Sequence, residues 1–117
     1  MEGGTRADDR RRARLASNEA LFRAVNEKIE GVNAAFASAV QTFAVVCECG
    51  DTTCVEQFDV GVGDYEQVRK NPSLFMVVPG HEIPDVEDVV EHAAGFLVVE
   101  KKGGIGEAIA AMTDPRG

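Results

Sequence analysis

Residues 42–62, TFAVVCECGDTTCVEQFDVGV, decide how this chain is read. Two runs rich in Val and Phe, Thr42 to Cys49 and Cys54 to Val62, flank the turn-forming cluster Gly50-Asp51-Thr52-Thr53. That pattern predicts a β-hairpin, because β-branched and aromatic residues fill pleated strands and Gly, Asp and Thr favour the reversal. Cys47 and Cys49 stand two apart, so on a strand both side chains leave the same face with alpha carbons about 6.6 Å apart. The turn then returns Cys54 beside Cys49, and three sulfurs gather at one end of the hairpin.

A closed zinc site takes four nitrogen or sulfur ligands, with each sulfur about 2.3 Å from the ion and hence roughly 3.8 Å from the next sulfur. Cys47, Cys49 and Cys54 supply three. His81, placed after Pro79-Gly80 at the end of a predicted strand, is the expected fourth, and His92 is the alternative. Glu48, Asp51 and Glu82 are acidic neighbours able to ligate or to orient a ligand. The spacing C-x-C-x₄-C is less diagnostic than a doubled C-x-x-C, so reduced buried thiols or a redox-active set stay open as readings. A disulfide is the weakest of them. The cysteine count is odd, and the amino terminus MEGGTRADDRRRARL lacks the apolar segment of a signal peptide, which points to a reducing cytoplasmic setting.

Outward from the hairpin, the chain divides into an amino-terminal segment, 1–40, and a small domain, 41–117. From about Asp8 to Val40 the residues favour one long helix without proline. The domain should add a short helix over 64–70, stopped by Asn71-Pro72, and a strand over 74–78, closed by Pro79-Gly80. A helix over 84–93 opened by Pro84, a strand over 96–101 and a weak terminal helix over 105–112 complete it. The expected fold class is α+β: a long helix followed by a four-stranded, mostly antiparallel sheet with helices against it. About seventy-five residues make a thin core, for which a metal is a natural supplement.

On the long helix, Leu15, Phe22, Val25, Ile29, Val32 and Phe36 recur at spacings of three and four once Asn18 is counted, a heptad-like stripe. One reading lays this stripe on the domain itself. The other makes Leu15, Asn18, Phe22, Val25 and Ile29 a seam for a protein partner or for a homodimer, with Asn18 setting the register. Charge is divided unevenly: residues 1–40 hold seven Lys or Arg against six Asp or Glu, and residues 41–117 hold five against fourteen. So acidic a body repels a phosphate backbone, which leaves nucleic acid only the Arg10 to Arg14 run. No stretch has the apolar length of a membrane span.

The chain resembles a group of small uncharacterised bacterial proteins. The shared elements are Asn-Glu-x-x-Phe-Arg-x-Val-Asn-Glu (Asn18 to Glu27), the Cys-x-Cys-x₄-Cys hairpin, Tyr-Glu-x-Val-Arg (Tyr65 to Arg69), Pro-Gly-His-Glu (Pro79 to Glu82) and Phe-Leu-Val-Val-Glu-Lys (Phe96 to Lys101). They cover about residues 18–102. The resemblance implies that the cysteines belong with His81, and it supplies no activity.

No G-x-S-x-G elbow or H-E-x-x-H pair is present, the zinc deaminase signature is absent, and no catalytic residue is assigned. The Gly104-x-Gly106 turn lacks the following strand that a dinucleotide site requires. The expected function is a non-enzymatic interaction or regulatory module stapled by structural zinc. The alternatives are a thiol-based redox or metal sensor built on the same hairpin, and a small zinc-dependent hydrolase.

Overall fold

A computed structural model describes residues 6–34 and 42–116, with side chains from Asp9 to Val32 and from Thr42 onward. The element order is α1 (Arg6–Ala34), β1 (Thr42–Val46), β2 (Gln57–Gly61), α2 (Val62–Arg69), β3 (Leu74–Val77), β4 (Glu87–Ala93), β5 (Phe96–Lys101) and α3 (Gly104–Met112). The fold is α+β, with a long amino-terminal helix, antiparallel sheet and short helices. Residues 35–40, where the sequence extends the first helix, lie outside the described residues.

Among the described residues the strands number five and form two sheets rather than one of four. β1 and β2 pair antiparallel with Val45 opposite Phe58, and β3, β5 and β4 form a second antiparallel sheet in that order. Strand β5 is central there, its Val98 opposite Met76 and its Leu97 opposite Val77. Its run Phe96-Leu97-Val98-Val99 is buried throughout because both faces are covered. Phe96, Val98 and Met76 join Phe43, Val45, Phe58, Val60, Tyr65 and Val68 in one apolar cluster, while Leu97, Val99, Phe75 and Val77 join Cys47, Cys49 and Ala110 in a second. Alternation at period two thus splits one continuous apolar run between two cores.

The helix expected over 84–93 is instead strand β4. Only Pro84 to Val86 turn, closed by the Val86 and Glu87 amides on the Ile83 carbonyl, and from Glu87 the chain pairs with β5. A buried central strand needs hydrogen-bond partners on both edges, and β4 supplies the second set. The β-branched pair Val89-Val90 suits a strand, and the Ala94-Gly95 turn allows direct return. A register shift between Val89 and Glu91 leaves Val90 exposed and disturbs the alternation that would have marked the strand.

Helix α1 lies against α3 and β1. The face it buries is Ala16, Glu19, Ala20, Arg23 and Asn26, small and polar residues rather than the apolar stripe. The Asn26 amide works as a strand fragment: its Nδ2 donates to the Val46 carbonyl at 2.8 Å, and its Oδ1 accepts from the Val46 amide at 2.8 Å. Arg23 donates to the Pro72 carbonyl at 2.6 Å and to the Ala110 carbonyl at 2.8 Å, while its guanidinium lies over the Phe75 ring. The Ala110 contact places a cation on the last turn of α3, the negative end of that helix, which has no basic residue of its own there.

Glu19, Glu87 and Lys101 meet in the interior, with Lys101 Nζ 2.6 Å from Glu19 and 3.4 Å from Glu87. Two carboxylates face one ammonium, so the second negative charge has no counter-ion. Burial first, and the Glu87 charge next, push the Glu19 carboxyl from 4.5 up to about 9. Between those values the folded chain holds a proton that the unfolded chain releases, so stability falls as pH rises. Glu19→Gln should flatten this slope. Thermal unfolding of both proteins, stepped from about pH 6.5 to 9, measures it; equal slopes would refute the assignment.

Candidate metal centre

The hairpin carries its cysteines past the end of the β1 ladder, where the chain passes from one sheet to the other. The Cys47 amide donates to the Glu56 carbonyl at 2.9 Å, continuing the pairing with the β2 side, and the next amide, that of Glu48, donates to the Met76 carbonyl of β3 at 2.8 Å. Two turns then bring the remaining ligands inward. Asp51 Oδ1 accepts from the Thr53 amide at 2.9 Å and from its hydroxyl at 2.7 Å, and the Cys54 amide closes on the Asp51 carbonyl at 3.1 Å. On the facing loop the His81 amide donates to the Val78 carbonyl at 2.9 Å across Pro79-Gly80, with Gly80 at φ 96°. Proline at the second position and a positive-φ glycine at the third are what a type II turn requires.

The four predicted ligands come together. One ligand atom from each of Cys47, Cys49, Cys54 and His81 lies within 4.8 Å of all the others, and no other such cluster occurs among the described residues. His81 Nδ1 is 3.5 Å from Cys47 Sγ and 3.6 Å from Cys54 Sγ. A sulfur at about 2.3 Å and an imidazole nitrogen at about 2.05 Å from one tetrahedral ion stand about 3.5 Å apart, so the two nitrogen–sulfur separations match those of a four-coordinate site.

The surroundings suit bound thiolates. The Val78 amide points at Cys47 Sγ, 3.2 Å away, and donates to it. Burial pushes the Cys47 and Cys49 thiols above the ordinary range, so ionising them calls for a cation in their midst. A bound divalent ion would provide it. Nδ1 of His81 faces the sulfurs while Nε2 lies 2.8 Å from Glu56 Oε2, an outer carboxylate that fixes the ring's orientation. Glu56→Gln is therefore expected to weaken metal affinity by about 10- to 100-fold with little change in fold, measured by competition with a chromophoric chelator. Unchanged affinity would remove Glu56 from the site.

Sequence reasoning passed over Glu56, although it stands two residues after Cys54 and alternation turns the two the same way. Of the acidic neighbours it named, Glu48 faces away from the sulfurs into a buried ion pair with Arg69 at 2.8 Å. Asp51 shapes the turn, and Glu82 accepts from the Gly80 amide at 2.8 Å. His92, the alternative ligand, sits exposed on β4 opposite Leu97 and outside the cluster. An open depression of about 340 Å³, lined in part by Cys49, Asp51, His81, Glu82 and Ile83, lies beside the site.

The residues read as a partner seam are spread over several roles. Asn18 donates to the Gly50 carbonyl at 2.9 Å, and Leu15 packs so closely on Gly50 that a Cβ there would meet its side chain at 2.6 Å. Ile29 packs against the apolar cluster under β1 and β2, Phe22 is half-buried, and Val25 is exposed. No helix among the described residues is long and apolar enough to cross a membrane. Compared with protein-family models, curated proteins and solved structures, the chain matches none.

Proposed function

We propose that this chain is a non-enzymatic interaction module whose two sheets are stapled by one structural zinc ion on Cys47, Cys49, Cys54 and His81. The observation that carries the reading is the convergence of four soft or borderline ligand atoms within 4.8 Å of one another. Three sulfurs and one imidazole favour zinc over the hard, oxygen-seeking cations. Four protein ligands complete the tetrahedron and leave no position for a substrate or an activated water, which sets the site apart from catalytic zinc centres. The fit extends to the outer groups, since a backbone amide meets one sulfur and a carboxylate meets the far ring nitrogen.

The site would join the β1 end to the loop after β3, and so hold the body on which α1 rests. Metal analysis of protein purified without added metal tests the reading. About one equivalent of zinc is expected, lost on His81→Ala; less than about a tenth of an equivalent would overturn it. A thiol-based sensor on the same residues is the second reading, favoured by half-exposed Cys54. Release of zinc by mild peroxide would support it, whereas a structural staple resists.

A further inference from the structure

From the outward face of α1 we infer a docking surface for an acidic amphipathic helix of another protein. The inference rests on the interaction-module reading and names the partner's chemistry. Arg10, Arg14, Leu21, Val25, Lys28 and Val32 follow one another at spacings of four, seven, four, three and four, so they share one side of the helix. That side lies about half a turn from the buried Ala16, Glu19 and Arg23. All six are exposed; Leu21 retains 56%, Val25 38% and Val32 66% of its surface.

Charge identifies the occupant. Other cations are largely partnered, Arg11 on the flank of α1 with Asp85, and in the body Arg69 with Glu48, Lys102 with Asp88 and Arg116 with Glu66. Arg10, Arg14 and Lys28 have no ion-pair partner among the described residues, in a chain of net charge −8 that carries 20 carboxylates. The face itself carries no carboxylate. Pairing α1 with the α1 of a second copy, parallel or antiparallel, would set Arg14 and Lys28 against cations of the other helix, which argues against self-association there. A helix with an apolar seam flanked by Glu or Asp meets both requirements, with anchors at Leu21, Val25 and Val32 and charge pairs at each end.

The test uses the full metal-loaded chain and fluorescent helical peptides of about three heptads, identical in their leucine seam, with Glu, Gln or Lys at the flanking positions. The Glu peptide alone should bind, more weakly as salt is raised. Arg14→Glu with Lys28→Glu should cut that binding about tenfold or more, and Leu21→Ser with Val25→Ser should abolish it, with zinc content and melting temperature unchanged. Equal binding of the Gln or Lys peptide would overturn the acidic partner and leave the module reading standing. Self-association removed by Leu21→Ser, or preference for anionic phospholipid vesicles over the Glu peptide, would also overturn it. No binding of any peptide, vesicle or second copy would overturn both.

Discussion

Cys47→Ser is expected to abolish stoichiometric zinc binding and to lower the melting temperature by roughly 10–20 °C, among the largest effects of any single substitution in this chain. The magnitude follows from comparing two quantities. Structural zinc contributes on the order of 10 kcal/mol or more to the folded state of a small site, whereas a domain of this size is stable by only about 5–15 kcal/mol in total. Part of the zinc term is recovered when the reduced hairpin repacks, because Cys47 and Cys49 already lie within an apolar cluster with Phe75, Val77, Leu97 and Val99. A loss of about 3 kcal/mol is thus a conservative expectation, and it produces that fall in melting temperature.

Cys47 is the most consequential of the three sulfurs. It is buried, it accepts the Val78 amide, and its own amide binds the Glu56 carbonyl, so it ties the β2 side to the loop that carries His81. Serine retains a polar atom there but lacks the thiolate the ion requires. Thermal unfolding with and without a strong chelator checks the expectation. The parent should lose most of the difference on chelation, and the variant should be insensitive to it. A parent whose melting temperature is unchanged by complete metal removal would sink the staple.

What was legible in the sequence were features with local causes. Gly50 to Thr53 announced a turn through residue chemistry, Pro79-Gly80 announced another, and C-x-C placed two sulfurs on one side through the period of a strand. These gather the three sulfurs of the candidate cluster without knowledge of distant contacts, whereas the approach of His81, 34 residues from Cys47, is a long-range contact. The misread segments were settled from outside themselves. Pro84 to Ala93 has a proline at its start and valines at helical spacing, and only the demand of β5 for a second neighbour makes its latter part a strand. Helix α1 was legible as a helix but not in its orientation, since hydrophobicity pointed to Leu15, Phe22 and Val25 whereas packing selected Ala16, Ala20 and the polar trio Glu19, Arg23 and Asn26. Small residues let α1 and α3 lie close, and buried polar groups find partners that belong to other elements. No periodicity of α1 alone encodes those partners.

Glu48 is the sharpest instance, and its removal carries the second large expected effect. The residue sits between two candidate metal ligands, yet alternation sends its side chain the other way, where it is fully buried. Its Oε1 accepts from Arg69 at 2.8 Å and from the Met76 amide at 3.0 Å, and its Oε2 accepts from Asn26 at 2.7 Å. One carboxylate thus joins α1, α2 and β3 behind the metal site. Glu48→Ala leaves the Arg69 guanidinium buried with no carboxylate against it, and such a broken pair costs about 3–5 kcal/mol. Arg69→Ala should cost a similar amount for the reciprocal reason, although the face of Tyr65, 5.1 Å from the guanidinium, would then lose its cation as well. Removing both partners together, as Glu48→Leu with Arg69→Met, should restore part of the loss, because an apolar pair avoids the stranded charge while the Met76 amide and Asn26 lose their acceptor. Urea unfolding of the metal-loaded parent, both single variants and the double variant measures the coupling; strictly additive losses would show that the two groups do not act as a pair. Zinc content read in the same samples separates the two sides of the strand: Glu48→Ala should destabilise the fold while the four ligands still bind one ion, and the Cys47 variant should lose both.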